Sequence, residues 1–209
     1  MNLQSRRGVY LITPDQADTK CLLAQVQALA ELPIACLQYR NKSATPQLRE
    51  QQASELLMLC RKNNIPLIIN DDWQMAMQIG ADGAHLGIDD DEIAEARQTA
   101  GEHFILGASC YGSIRRAQKA HANGANYVAF GAFFDSATKP NAQRAPLEVL
   151  AQAKEYGMQC VAIGGINQDN AASLINAGAD MLAVITSVFS AADPRQALIN
   201  LNLCFETLK

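Results

Sequence analysis

NAGADMLA, residues 176–183, is the third copy of one short pattern. The first copy is IGADGAH at 79–85 and the second is NGANYVA at 123–129. Each places a glycine at the end of an amphipathic stretch, where a left-handed residue closes a helix. Each then passes into an apolar run that reads as a strand buried on both faces, as in a parallel sheet. Three copies of one helix-to-strand joint imply a repeated βα unit.

Eight such runs punctuate the chain: VYLIT (9–13), ACLQYR (35–40), PLIIND (66–71), GAHLG (83–87), FILGAS (104–109), YVAFGA (127–132), CVAIGG (160–165) and MLAVIT (181–186). Helical patterns lie between them. Thr45-Pro46 reads as an N-cap with proline at the first helical position. Ala53, Leu56, Leu57 and Cys60 then form one apolar stripe. Asp193-Pro194 repeats the start signal before a last helix carrying Ala197, Leu198, Leu201, Cys204, Phe205 and Leu208. Eight strands, each followed by a helix, predict an α/β fold: a (βα)8 TIM barrel of parallel strands with short loops. The rival is a doubly wound open sheet, which a GxGxxG turn after the first strand would favour. The sequence there is ITPDQA (12–17).

The composition suits that fold. The 209 residues are 49% hydrophobic and 18% charged, enough for one sizeable core, and no linker composition divides them. The expectation is a single catalytic domain over 1–209. A net charge of −4 argues against non-specific nucleic-acid binding. No apolar run approaches the roughly 18 residues of a membrane span, and the N-terminal run is too short for a signal segment. The six cysteines are scattered without a CxxC pair, as in a reduced, cytoplasmic protein. HExxH and GxSxG are absent too.

In a barrel, catalytic groups collect at the C-terminal ends of the strands. Strand 2 ends in Gln38, Tyr39, Arg40, Asn41 and Lys42, where a guanidinium fork and an ammonium could grip an anion. Strand 3 ends in Asn70, Asp71 and Asp72, and strand 4 is followed by Asp89, Asp90 and Asp91. Asp72 and Asp91 read mainly as helix caps. Asp71 and Asp90 are the candidates to share a Mg²⁺ ion, which takes one or two carboxylates plus phosphate and water. Ser109 ends strand 5. Gly164-Gly165 and Ile185-Thr186-Ser187 end strands 7 and 8, at the recurrent phosphate site of this fold. His85, inside strand 4, reads as a structural or supporting residue. His103 and His121 read as surface residues, and Trp73, Met75 and Met77 as helix packing. One basic region near a metal suits a diphosphate, and one glycine and hydroxyl region suits a monophosphate. Two phosphorylated small-molecule substrates suggest group transfer with diphosphate as the leaving group.

These strand ends resemble the thiamine-phosphate synthase family. The motifs are QYRNK (38–42), NDD (70–72), HLGIDD (85–90), GAS (107–109), SATK (136–139), AIGGI (162–166) and VITS (184–187), and the likeness runs from about Val9 to the last helix. It implies the joining of an aminopyrimidine methyl diphosphate to a thiazole phosphate. By position, Gln38, Tyr39, Arg40, Asn41, Lys42, Asn70, Ser109 and Lys139 would hold the pyrimidine diphosphate. Asp71 and Asp90 would ligate Mg²⁺. Ser136, Ala137, Thr138, Gly165, Ile185 and Thr186 would hold the thiazole phosphate. Arg40, Lys42 and Lys139 would stabilise the leaving charge. Asn41, Ile88, Tyr111, Asp135, Ser136 and Thr186 depart from the family's commoner residues. Asp135, set beside two anions, is expected to point away from them. A thiazole tautomerase-like barrel or a non-catalytic thiamine-precursor-binding protein are the alternatives, and a homo-oligomer is left open.

Overall fold

The computed structural model describes residues 6–87, 90–135 and 144–206, and at 90 and 91 the backbone alone. Eight parallel strands close into a barrel in sequence order: β1 (Gly8–Ile12), β2 (Cys36–Tyr39), β3 (Leu67–Asn70), β4 (Gly83–Leu86), β5 (Ile105–Tyr111), β6 (Tyr127–Phe130), β7 (Cys160–Ile163) and β8 (Met181–Val184). β8 pairs back onto β1, with Val9 opposite Leu182. Every strand corresponds to one of the eight apolar runs, so the barrel reading holds and the open sheet does not.

The helices form the outer layer: α1 (Thr19–Gln27), α2 (Pro46–Lys62), α3 (Trp73–Ile79), α4 (Asp90–Ala100), α5 (Ile114–Ala122), α6 (Glu148–Glu155), α7 (Ala171–Asn176), α8 (Thr186–Phe189) and α9 (Pro194–Glu206). Thr45 caps α2 through its hydroxyl, with Pro46 in the first turn. Asp72 caps α3, its carboxylate accepting from the Met75 N–H at 2.8 Å. The four-residue α8 between β8 and α9 is an addition to the one-helix-per-strand expectation.

Alternation along each strand divides the interior. Val9, Leu11, Leu37, Ile69 and Leu182 face outward and pack beneath the helices. Tyr10, Ile12, Cys36, Ile68, Tyr127, Val161 and Met181 face inward and fill the barrel. Removal of such large apolar side chains from water, about 1.5–3 kcal/mol each, drives assembly of the two layers.

The repeated joint has the same construction three times. The glycines at 80, 124 and 178 all have positive φ at the helix end. Two residues later, Asp82, Asn126 and Asp180 accept from a backbone N–H at the start of the preceding strand, at Leu67, Leu106 and Cys160, over 2.7–2.8 Å. Their own N–H groups donate back to the same residues' carbonyls. Each joint thus closes a reciprocal pair at the N-terminal end of the barrel, under β3–β4, β5–β6 and β7–β8.

Four of the six cysteines, Cys36, Cys60, Cys110 and Cys160, are buried, whereas Cys21 is exposed. Burial pushes the Cys60 and Cys160 thiols up to about 12. Trp73 is buried and Met75 packs against the same core, but Met77 is exposed.

Candidate active site

A cavity of about 1340 Å³ opens at the C-terminal ends of the strands. The inward set of each strand supplies its floor, and the residues just beyond the strand supply its rim. On β2 the inward position is Gln38, and Arg40 and Lys42 continue that parity to the rim.

The cationic side is braced from β1. Thr13, fully buried just beyond β1, accepts from the Arg40 N–H at 2.9 Å and donates to the Arg40 carbonyl at 3.0 Å. Asp15 accepts from the Arg40 guanidinium at 3.2 Å and from the Lys42 N–H at 3.0 Å. One carboxylate therefore aims one side chain and anchors the backbone of the next. Beside them, Asn70 donates to the Asp71 carboxylate at 2.7 Å. Asp71 has a φ of 60°, and its N–H donates to the His85 carbonyl at 2.8 Å. That link turns the chain at the rim and sets the carboxylate over the cavity.

The neighbouring arc of β7 and β8, which closes onto β1, is rich in glycine and bare backbone. Gly164, Gly165, Ile185, Thr186 and Ser187 line it. Gly165 has a φ of 63°, and a Cβ there would lie 2.3 Å from the Asp135 carbonyl oxygen. No other residue fits that close approach, and Asn170 holds the loop by donating to the Gly165 carbonyl at 3.0 Å. The rim between the two sides carries Tyr111, with the Arg116 guanidinium 5.5 Å from its ring centre. Asp135 and Arg144 form an ion pair of 2.5 Å. Asp135 does line the cavity, but its charge is taken up by Arg144.

Inside the mouth a chain of hydrogen bonds crosses the barrel. Gln38 Nε2 donates to the Tyr10 hydroxyl at 2.8 Å, which meets the Tyr127 hydroxyl at 2.7 Å. Tyr127 meets His85 Nδ1 at 3.1 Å, and His85 Nε2 meets Ser109 Oγ at 2.9 Å. Gly107 makes room, since a Cβ there would fall 2.0 Å from the Tyr127 ring. Burial lowers His85 to about 4, against a smaller upward pull from the Asp71 charge. Its imidazole is therefore neutral at pH 7.

Nine of the residues expected from the sequence line this one cavity: Gln38, Arg40, Lys42, Asn70, Asp71, Ser109, Gly165, Ile185 and Thr186. Tyr39 and Asn41 differ from expectation. Tyr39 follows strand alternation outward, and its hydroxyl donates to Gln52 on α2 at 2.8 Å. Asn41 is buried and donates to the Gln16 carbonyl at 2.7 Å and to Gln52 at 3.0 Å, tying the β1–α1 loop to α2. Their side chains thus shape the rim from behind. Ser136, Ala137, Thr138 and Lys139 lie outside the described residues, as does Ile88. Asp90 opens α4, but its side chain is not described. Sequence reasoning missed Asp15, Thr13, Tyr10 and Tyr127. For the tyrosines a signal existed, because period-2 alternation in VYLIT and YVAF turns each of them inward.

A closed eight-stranded barrel with its polar groups gathered at the strand C-termini is the architecture of a (βα)8 enzyme. The chain belongs to the thiamine monophosphate synthase family, whose sequence model matches residues 9–188. It is 53% identical over 197 residues to the thiamine-phosphate synthase of Xanthomonas campestris pv. campestris (strain 8004), covering 94% of each chain. It is 50% identical over 201 residues to that of Azoarcus sp. (strain BH72), covering 95% of this chain and 97% of the other. Among solved structures, the thiamine phosphate pyrophosphorylase of Pyrococcus furiosus superposes with a TM-score of 0.86 at 31% identity, over 99% of this chain and 98% of that one.

Proposed function

We propose that this chain, acting as one catalytic unit over 1–209, is a thiamine-phosphate synthase. It joins 4-amino-2-methyl-5-(diphosphooxymethyl)pyrimidine to 4-methyl-5-(2-phosphooxyethyl)thiazole and releases diphosphate. The observation that carries this reading is the two-sided cavity. A cationic side built on Arg40 and Lys42 and a glycine side built on Gly164-Gly165 and Ile185-Thr186 line one space of about 1340 Å³. No helix of the described residues is long and apolar enough to cross a membrane. We take the partners to be these two small molecules, with neither nucleic acid nor membrane, and the setting to be the cytoplasm.

In this reaction the methylene carbon–oxygen bond of the pyrimidine breaks, and diphosphate carries away the electron pair. The thiazole nitrogen then supplies the pair for the new carbon–nitrogen bond. The chain needs no nucleophile of its own. Arg40 and Lys42, joined by Lys139, take up the growing negative charge. Ser109 and Asn70 donate to the same anion. The backbone at Gly165 and Thr186, with Ser136, Ala137 and Thr138, holds the thiazole phosphate so that its nitrogen faces the methylene carbon. The residues fit a hard cation: Asp71 sets one carboxylate at the rim, and Asp90 begins the next helix after β4. An ion held by two carboxylates would be completed by substrate oxygens and water. Mg²⁺, when bound there, neutralises diphosphate charge.

The test is an assay of the purified protein with both substrates, with and without Mg²⁺. Thiamine phosphate and diphosphate should appear in equal amounts only with both substrates and the metal. No product under those conditions sinks the reading. Isomerisation of a thiazole phosphate alone would favour the tautomerase instead.

A further inference from the structure

The chain of hydrogen bonds inside the mouth has a direction. A phenol carries one hydrogen, and a neutral imidazole one N–H. The Tyr10 oxygen accepts from Gln38 Nε2, so the Tyr10 hydrogen goes to the Tyr127 oxygen. The Tyr127 hydrogen then points to His85 Nδ1. With Nδ1 accepting, the ring proton sits on Nε2 and is donated to Ser109 Oγ. The hydrogen of Ser109 is left for the cavity. Run the other way, the chain would aim both Gln38 and Tyr127 at the Tyr10 oxygen. The Tyr10 hydrogen would then have no protein acceptor, at a residue only 1% exposed, which folded proteins avoid. Both ring nitrogens of His85 face neutral hydroxyls, so no bonded carboxylate holds a second proton there.

We propose that this chain fixes His85 as its Nε2–H tautomer and keeps the Ser109 hydrogen for donation into the cavity. Gln38, Tyr10, Tyr127 and His85 are positioning residues for that one hydroxyl. A serine whose hydrogen is kept free to donate suits an anionic oxygen, which offers only lone pairs. Because its rotor is already set, it needs no reorganisation when the anion arrives. The acceptor is an oxygen of the diphosphate. That last link rests on the proposed function, whereas the tautomer does not.

Two measurements test it. In the native, ligand-free protein, long-range proton–nitrogen NMR of ¹⁵N-histidine should show His85 with Nδ1 bare and Nε2 protonated. An Nδ1–H tautomer or an imidazolium at neutral pH overturns the proposal, whatever the protein catalyses. Inorganic diphosphate with Mg²⁺ is the probe for the second, by calorimetry on a double-mutant cycle. Ser109→Ala and Tyr127→Phe should each weaken its binding about tenfold, the worth of a hydrogen bond to a charged group. Tyr127→Phe should add almost nothing once Ser109 is alanine. Independent, multiplying losses would make Tyr127 a packing residue and refute the chain. An unchanged affinity in Ser109→Ala would refute diphosphate as the acceptor while leaving the synthase assay untouched.

Discussion

Arg40 is aimed by a residue outside its own QYRNK run. Asp15, 25 positions earlier, holds the guanidinium and the Lys42 N–H with one carboxylate oxygen. The pair is partly exposed, so its contribution to stability is small. Its effect falls on orientation. In Asp15→Ala the cation remains but loses its direction, and the Lys42 backbone loses its anchor. The Michaelis constant for the pyrimidine diphosphate should rise about fivefold, roughly 1 kcal/mol, with thermal stability little changed. Steady-state kinetics against each substrate decide it, because the thiazole constant should stay put. His85 carries a different kind of prediction. Burial lowers it to about 4, against 6.5 for an exposed imidazole. Between those values the unfolded chain binds a proton that the folded chain refuses. The stability from a neutral His85 is therefore complete above pH 6.5 and is lost as the pH falls toward 4. In metal-free buffer, urea unfolding at pH 7 and pH 5 should show a loss of about 2 kcal/mol that His85→Gln removes. An equal loss in the variant would assign the acid limb to other groups.

At the scale of the element, the Gly-Ala-Asp/Asn joint carries more than a turn. Asn126 accepts from the Leu106 N–H and from the Arg97 guanidinium, each at 2.7 Å, while Arg97 also donates to the Gly124 and Phe104 carbonyls. Asn126→Ala leaves a strand N–H and part of a half-buried cation without an acceptor. It should cost about 2 kcal/mol in urea unfolding. Turnover should be unchanged, because the joint lies at the end of the barrel away from the cavity. A variant of wild-type stability would mean that water replaces the amide. The glycine of each joint was readable because its demand is local: a helix ends, and φ must turn positive. The polar residue two places later read only as a turn residue, since its partner is 15–20 positions back on another strand. The same divide separates the site residues. Gln38 and Arg40 were legible from strand position, whereas Asp15 needed the β1–β2 pairing to find its partner. Tyr39 shows the cost of reading a motif as a block. Strand parity alone turns it outward from Gln38, toward Gln52.

For the whole molecule, closure of β8 onto β1 is what makes two half-sites one site. The cationic side comes from β1 to β3 and the glycine side from β7 and β8, and only the closed ring joins these two arcs on a common cavity. A ligand that grips either side therefore braces strands from that arc, and the stabilisation should appear in global unfolding. Inorganic diphosphate with Mg²⁺, at about a hundred times its dissociation constant, should stabilise the fold by about 2.7 kcal/mol. For a chain of this length that is a rise of about 5–10 °C in melting temperature. Removing the metal with a chelator should abolish most of the rise if Asp71 shares the ion with the diphosphate. Arg40→Ala should also abolish it, yet keep the smaller rise given by a thiazole phosphate on the glycine side. Loss of both rises in Arg40→Ala would mean that the two sides do not bind separately. A rise that survives chelation would place the diphosphate on the cations alone.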